Sequence, residues 1–332
     1  MDFIVTQEQA KTRLDKFLTQ NLSDQTRSQI KKLIKSGAVL INNKPAKVHQ
    51  FLKAGDAISI GILRPIRFTQ GRSEFTEERQ AQDDKKINSD LQPKLIFEDN
   101  DFLILEKPSG LLIHPTDKGE IDTLADWLKI NYPDIEKIGE QNYRGGIIHR
   151  LDRDVSGVMV VAKNQPAFFH LKNQFETRQV KKEYLALAYG RVNQLTGEID
   201  LPIGRNKAGQ FVAHPRNGKN KFQDQDKFAK TRYQVLEYLK DYTFLKIQIL
   251  TGRTHQIRAH LSAINHPILG DKIYQPKKKF LHFFSRKVKV VDPGRIFLHS
   301  TKIGFYDLKN DWREFESALP QELTNFINVL KN

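Results

Sequence analysis

The densest group of reactive side chains is the run Gly146-Ile147-Ile148-His149-Arg150-Leu151-Asp152-Arg153-Asp154-Val155-Ser156-Gly157-Val158. Apolar segments flank it on both sides, so a rigid sheet would pin this charged loop, a common setting for functional residues. A carboxylate held there among guanidiniums could serve as nucleophile or as base. The same charges would also suit a surface turn knitted by Asp–Arg pairs, and residue types alone leave the two readings evenly balanced. Ser156-Gly157 supplies a turn back into the following strand.

Three other segments carry candidate chemistry. In Glu106-Lys107-Pro108-Ser109-Gly110 the Pro and Gly fix a bend, so a structural part is expected. Lys182-Glu183-Tyr184-Leu185-Ala186 reads as a strand on which Tyr184, Ala186 and Ala188 share a face, with space beside the ring. For a lone strand tyrosine, a core position is the ordinary reading. Thr251-Gly252-Arg253-Thr254-His255-Gln256-Ile257-Arg258-Ala259-His260 reads as a helix. It turns Ile257, Leu261 and Ile264 to the core and His255, Arg258 and Ser262 to another face. His255 and His260 would lie about 140° apart on that helix. With no His-Glu-x-x-His spacing and no cysteine, no metal is expected.

The elements that must position these residues follow from the patterning beyond residue 93. Strand-like runs fall at 95–98, 102–105, 147–148, 158–162, 183–190, 231–238 and 243–250, with helical stretches near 122–130, 166–177, 254–264 and 320–330. Runs of adjacent strands with helices dispersed among them predict an α+β domain over 94–332, built on a large, mixed, mostly antiparallel sheet.

Residues 1–62 read as a separate small α+β module. Arg13-Leu14-Asp15-Lys16-Phe17-Leu18 opens a short helix, and a second is expected at about 25–36, ended by Gly37. On that second helix Ile30, Leu33 and Ile34 share one face, while Arg27, Lys31 and Lys35 line another. Two strands, 38–41 and 56–60, follow, with Asn42-Asn43 as a turn. The module holds ten basic and five acidic residues. Residues 63–93 are polar, densely charged and aperiodic, which predicts a flexible linker.

Composition narrows the partners. Lys plus Arg number 54 against 39 acids, a net charge of +15. Such a surplus favours a polyanion, since neutralising phosphates releases condensed counterions. Two stretches without acids add to it. One holds Arg205, Lys207, Arg216, Lys219 and Lys221; the other, Lys277–Lys279, Arg286, Lys287 and Lys289, is interleaved with Phe280, Phe283 and Phe284. The absence of cysteine excludes disulfides, thiolate metal sites and thiol nucleophiles. No apolar run reaches the ~20 residues of a membrane span, and the first residues lack the pattern of a signal peptide. A cytoplasmic setting is the expectation.

Two resemblances sharpen these readings. Arg13-Leu14-Asp15-Lys16-Phe17-Leu18 and the segment from Arg27 to Ile60 resemble the S4-type RNA-binding domain, which implies binding of structured RNA. His149-Arg150-Leu151-Asp152, followed after three residues by Ser156-Gly157, resembles the catalytic motif of RluA-type pseudouridine synthases. The three other segments resemble that family's motifs in order, as do Asn265-His266-Pro267-Ile268-Leu269-Gly270-Asp271 and the end of the chain from Phe297 to Pro320. The resemblance implies the pseudouridine-synthase fold with a central cleft, Asp152 as the essential carboxylate, Tyr184 as the active-site tyrosine and Arg258 as the basic residue beside Asp152. The planar fork of Arg258 would then hold Asp152 in two parallel hydrogen bonds. Val155 departs from the family, which usually has Thr there. Arg150 and Arg253 beside the site, and Arg27, Lys31, Lys35 and Lys44 on the module, are the expected RNA contacts. The implied substrate is large-subunit ribosomal RNA, with transfer RNA as a second class, and a monomer is expected. The isomerisation changes no redox state and adds no group, so no cofactor is called for. A non-catalytic RNA-binding ribosome-assembly factor is the alternative.

Overall fold

The computed structural model describes residues 2–10, 12–22, 30, 34, 39–42, 44–47, 49–60, 91–116, 122–140, 145–206, 208–214, 225–276 and 292–331. Most of the helix expected at 25–36, with Arg27, Lys31 and Lys35, lies outside the described residues, as do 61–90, the basic runs at 215–224 and 277–291, and Lys207. Two compact units are distinguished, Met1–Asp83 and Asp84–Asn332.

In the first unit, β1 (Asp2–Ile4), β4 (Ala57–Ile60), β2 (Val39–Ile41) and β3 (Lys44–Pro45) form a four-stranded sheet in that order, beside helix α1 (Leu14–Asn21). Leu14, Phe17 and Leu18 of α1 are buried with Ile30, Ile34, Val39, Ile41 and Ile58 in one apolar core. The asparagine turn has a specific geometry. Asn42 has φ 52°, a left-handed conformation that Asn tolerates better than most residues. Its side chain donates to Asp56 Oδ1 at 2.8 Å and accepts from the Ala57 amide at 2.8 Å, tying the turn to β4. Lys44 is exposed on β3.

The second unit is built on a nine-stranded mixed sheet. Its order is β5 (Lys94–Glu98), β6 (Phe102–Lys107), β7 (Ser156–Ala162), β14 (Leu298–Tyr306), β8 (Lys181–Tyr189), β13 (Tyr242–Ile249), β12 (Lys230–Leu239) and β9 (Thr196–Asp200), with β15 (Trp312–Glu316) also paired to β14. Every pairing is antiparallel except β7 with β14. A small hairpin, β10 (Ile203–Arg205) with β11 (Phe211–Ala213), stands apart. Helices α2 (Leu124–Asn131), α3 (Gln165–Glu176), α4 (Gln256–Ala263) and α5 (Gln321–Lys331) flank the sheet. One continuous core runs beneath all of them, from Phe102 and Ile104 through Val158–Val161 and Leu245 to Phe326.

The fold brings distant segments together at one end of β7. Antiparallel pairing of β6 with β7 sets Lys107 opposite Gly157, so the bend after β6 meets the charged loop before β7. Gly157 is already part of the strand, where sequence reading gave it a turn. It has φ 124°, and a Cβ there would run into the backbone of Ser300 on β14. Glycine is required because two strands approach closely, a role distinct from bending the chain.

Strand β14 is the largest omission of the sequence reading. Its residues Leu298-His299-Ser300-Thr301-Lys302 lack an apolar pattern, yet His299 and Ser300 are buried. Their polar groups serve the neighbouring loop: Ser156 Oγ donates to His299 Nδ1 at 2.9 Å, His299 Nε2 donates to the Ser317 carbonyl at 3.1 Å, and Arg295 Nη2 donates to Ser156 Oγ at 2.6 Å.

Candidate active site

The loop from His149 to Val155 alternates its partners. Leu151 and Val155 are buried in the main core, while Arg150 and Arg153 are exposed and Asp152 is half-buried between them. The Val155 amide donates to the Asp152 carbonyl at 3.1 Å, closing the loop into a tight turn. His149 braces it from behind. Its Nε2 accepts from the Val160 amide at 3.1 Å, its ring stacks on Phe175 at 4.8 Å, and burial lowers its pKa to about 3, so it is neutral.

Lys107 fastens the loop from below, a part that sequence reading assigned only to the Pro and Gly beside it. Its buried ammonium donates to the carbonyls of Pro108, Leu111 and Arg153 at 2.8, 2.9 and 2.8 Å. Three acceptors match the three protons of a lysine ammonium. Burial lowers its pKa to about 7, with Arg295 pushing the same way and Asp154 and Asp152 opposing. Ser109 Oγ donates to the Asp154 carbonyl at 2.7 Å and the Gly110 amide to the Arg153 carbonyl at 2.9 Å, so the first motif clamps the second.

Arg258 comes to Asp152 from α4. Gln256, at the helix start, sets the approach: its Oε1 accepts from Thr251 Oγ1 and the Arg253 amide, and its Nε2 donates to the Lys230 carbonyl and Thr231 Oγ1. His255 precedes the helix in a left-handed conformation, φ 57°, which strains any residue with a Cβ. The helical face expected for His255 therefore does not form, although His255 and Arg258 still converge on Asp152. Ile257 and Leu261 are buried as expected; Ile264 is partly so.

The guanidinium geometry corrects the sequence reading. The two parallel hydrogen bonds of Arg258 go to Asp271: Nε to Oδ2 at 2.7 Å and Nη2 to Oδ1 at 2.9 Å. Asp152 receives one bond, from Nη1 to Oδ2 at 3.0 Å. A fork can engage one carboxylate in this manner, and Asp271 lies along its Nε edge. Asp271 is itself fixed by the amides of Ile273 and Tyr274, at 2.8 and 3.0 Å. Although Asp271 stands in a quoted motif, its part in holding Arg258 had no local signal in the sequence.

Electrostatics agree with this division. Burial works against the charge of Arg258, but Asp271 and then Asp152 outweigh it and raise its pKa. Burial would likewise raise Asp271, yet its hydrogen bonds and charge contact with Arg258 prevail and lower it. Burial lowers the pKa of His255, whose Nε2 lies 3.7 Å from Asp152 Oδ2. Its Nδ1 lies 3.2 Å from the Tyr274 hydroxyl, which donates to the Phe211 carbonyl.

Tyr184 completes the wall. Strand β8 places it across from Ser300 on β14 and Ile247 on β13. Burial pushes its hydroxyl well above the ordinary range; a hydrogen bond with Ser300 opposes the rise and the charge of Asp152 adds to it. A neutral phenol results. The open space expected beside Ala186 and Ala188 is absent, since both are fully buried. Instead a cavity of about 100 Å³ opens between Asp152, Tyr184, Arg258, His255, Val155 and Leu298. Arg150 and Arg253 line its rim, and Arg253 Nε donates to the Phe228 carbonyl at 3.0 Å. Of the expected site residues, Asp152, Tyr184, Arg258, Arg150 and Arg253 meet here; Lys44 lies in the other unit.

This arrangement presents one carboxylate to a small, partly apolar cavity with a fixed cation behind it and a neutral phenol beside it. Residues 101–263 match the RNA pseudouridylate synthase family and residues 12–58 match the S4 domain. The chain is 32% identical to an uncharacterized RNA pseudouridine synthase, YlyB, of Bacillus subtilis (strain 168), over 100% of this chain and 99% of that protein. It is also 32% identical to ribosomal large subunit pseudouridine synthase D of Yersinia pestis, over 98% of this chain and 93% of that protein. Among solved structures, human RNA pseudouridylate synthase domain containing 4 shares the fold, with a TM-score of 0.57 and 24% identity over 72% of this chain and 93% of that one.

Proposed function

The chain belongs to the RNA pseudouridylate synthase family, and from that premise we propose that it isomerises uridine in large-subunit ribosomal RNA through the carboxylate of Asp152. The membership makes it an RNA pseudouridine synthase; the RNA class and the residue roles are our reading. One observation carries the assignment of Asp152: the family motif's carboxylate faces the cavity, held by a single hydrogen bond from an arginine whose other edge is committed to Asp271.

The reaction breaks the bond from ribose to uracil nitrogen-1, turns the base, rejoins it through carbon-5 and removes the carbon-5 proton. The uridine must first leave its stack, at a cost of roughly a few kcal/mol. Asp152 attacks the ribose or abstracts a proton from it to start elimination, oriented for either route by its hydrogen bond from Arg258. Tyr184, neutral, packs against the uracil and passes on the carbon-5 proton. Arg150 and Arg253 hold the strand at the rim, and the S4 unit adds affinity for structured RNA through its basic residues, Lys44 among them. The substrate class rests on the Yersinia pestis relative, whose name specifies the large ribosomal subunit.

The test is pseudouridine mapping on unmodified ribosomal and transfer RNA incubated with the protein or with Asp152→Asn. New sites in large-subunit RNA with the unaltered protein alone are expected. Sites confined to transfer RNA would overturn the substrate class, and sites made by both proteins would overturn the role of Asp152.

A further inference from the structure

A second cavity, about 500 Å³, adjoins the first and shares Arg150, Tyr184, Ile249, Gly252 and Arg253 with it. Its wall includes the cations Lys172, Arg178 and Lys182 against the single acid Glu176. Most of these cations are engaged. Lys172 pairs with Glu140 at 2.5 Å and Glu176 at 3.5 Å, and the Arg178 guanidinium lies over the Phe228 ring at 5.1 Å.

Lys182 differs. The residue is only 7% exposed and lines the cavity. Its ammonium lies 5.2 Å from the Phe175 ring centre, and among the described residues it has no carboxylate or carbonyl partner. A buried cation without a counter-ion is costly, and one aromatic face repays only part of that cost. Burial accordingly lowers its pKa to about 8. Strand β8 puts Lys182 two residues from Tyr184, on the same face of the sheet and roughly 7 Å along it. A charge that is poorly satisfied in the free protein and open to the cavity beside the site awaits an anion from the substrate.

We propose that the second cavity seats a backbone phosphate of the RNA strand flanking the target uridine, with Lys182 Nζ as its cationic partner. The inference rests on the function proposed above and adds to it a position where the strand is gripped. A phosphate there supplies the counter-ion that the described residues do not, and a charge-assisted hydrogen bond formed in a low-dielectric recess is strong.

Two measurements test it, with an unmodified transcript of large-subunit ribosomal RNA as the probe. First, reductive methylation of Lys182 in the wild-type protein is followed by mass spectrometry, with the RNA, with inorganic phosphate at the same phosphate concentration, and with neither. RNA is expected to protect Lys182 and inorganic phosphate to leave it reactive. Equal protection by both would make this a free-anion site and overturn the inference. Second, Lys182→Met, which fills the space without the charge, is expected to melt no lower than wild type. Its KM should rise about tenfold with kcat within about twofold, and the slope of log KM against log salt should shrink by about 0.7–0.9, the share of one phosphate. An unchanged KM and slope would mean that the lysine serves only Phe175. A protein that isomerises the transcript while leaving Lys182 unprotected overturns this inference alone; one that isomerises no RNA overturns the function beneath it, and this inference with it.

Discussion

The loop around Asp271 and the loop around Asp152 meet at one guanidinium but are built differently. Asp271 is fully buried at its side chain, takes both hydrogen bonds of the Nε edge of Arg258 and is held further by two backbone amides. Asp152 keeps 20% of its side chain exposed and takes one bond from the same arginine. The first arrangement leaves little capacity for further bonding and immobilises the cation. The second leaves carboxylate lone pairs facing the cavity. Arg258 is thus an oriented cation supplied to Asp152 by Asp271, so the two aspartates answer differently to replacement by asparagine.

The largest expected effect breaks the Asp152 side. Asp152→Asn keeps shape and loses the carboxylate, so kcat should fall about 10³-fold or more, while the melting temperature stays within a few degrees. Single-turnover pseudouridine formation and calorimetry check the two halves. Asp271→Asn should reverse the balance. Removing one member of a buried pair costs roughly 3 kcal/mol of stability, and kcat falls only about 10- to 100-fold because Asp152 itself survives. Were Asp271→Asn the more damaging to catalysis at full stability, the anchor and the reactive group would have to exchange places.

Acid sharpens the comparison further. The folded pKa of Asp271 is depressed below its unfolded value of 3.8. Its contribution is therefore fully present above about pH 4 and is lost as pH falls through the folded pKa. Glu98, Glu198, Asp307 and Glu314 are lowered as well and contribute to the same acid limb. Subtraction isolates the one of interest: the stability gap between wild type and Asp271→Asn should be constant above about pH 4 and close below it. A gap that persists unchanged into stronger acid would mean that the pair stabilises through shape rather than charge.

The two loops also differ in how far sequence exposes them. His149, Arg150, Leu151 and Asp152 are adjacent, so their motif and the alternation of buried and exposed side chains can be read directly. Strands β12 and β13 were legible within a residue or so because apolar residues recur along them at every second position over much of their length. Asp271 lies 13 residues from Arg258, and its bidentate contact depends on how the chain returns after α4. Strand β14 stayed hidden for a related reason: its buried His299 and Ser300 are paid for by hydrogen bonds to Ser156, Ser317 and Val158, which no hydropathy pattern records. Lys107 and Lys182 read as ordinary lysines until the fold buried them.

The smallest expected effect concerns Val155, at the position where the resembled motif usually carries Thr. Val155 sits two residues beyond Arg153, its amide bonded to the Asp152 carbonyl and its side chain in the core beneath the cavity. The backbone bond that shapes the loop does not depend on the side chain, and valine and threonine share a branched outline. Val155→Thr would place a hydroxyl at a buried position beside a partly apolar cavity, at a cost of about 1 kcal/mol or less where a nearby carbonyl accepts it. We expect kcat within about threefold of wild type and a slightly lower melting temperature. That result would follow if the loop is held by Lys107, Ser109 and Leu151, as its hydrogen bonds and burial indicate. A gain or loss in kcat of tenfold or more would instead assign position 155 a direct hydrogen bond in the reaction. Asp152 would then be oriented from two sides, and the contrast with Asp271 would narrow.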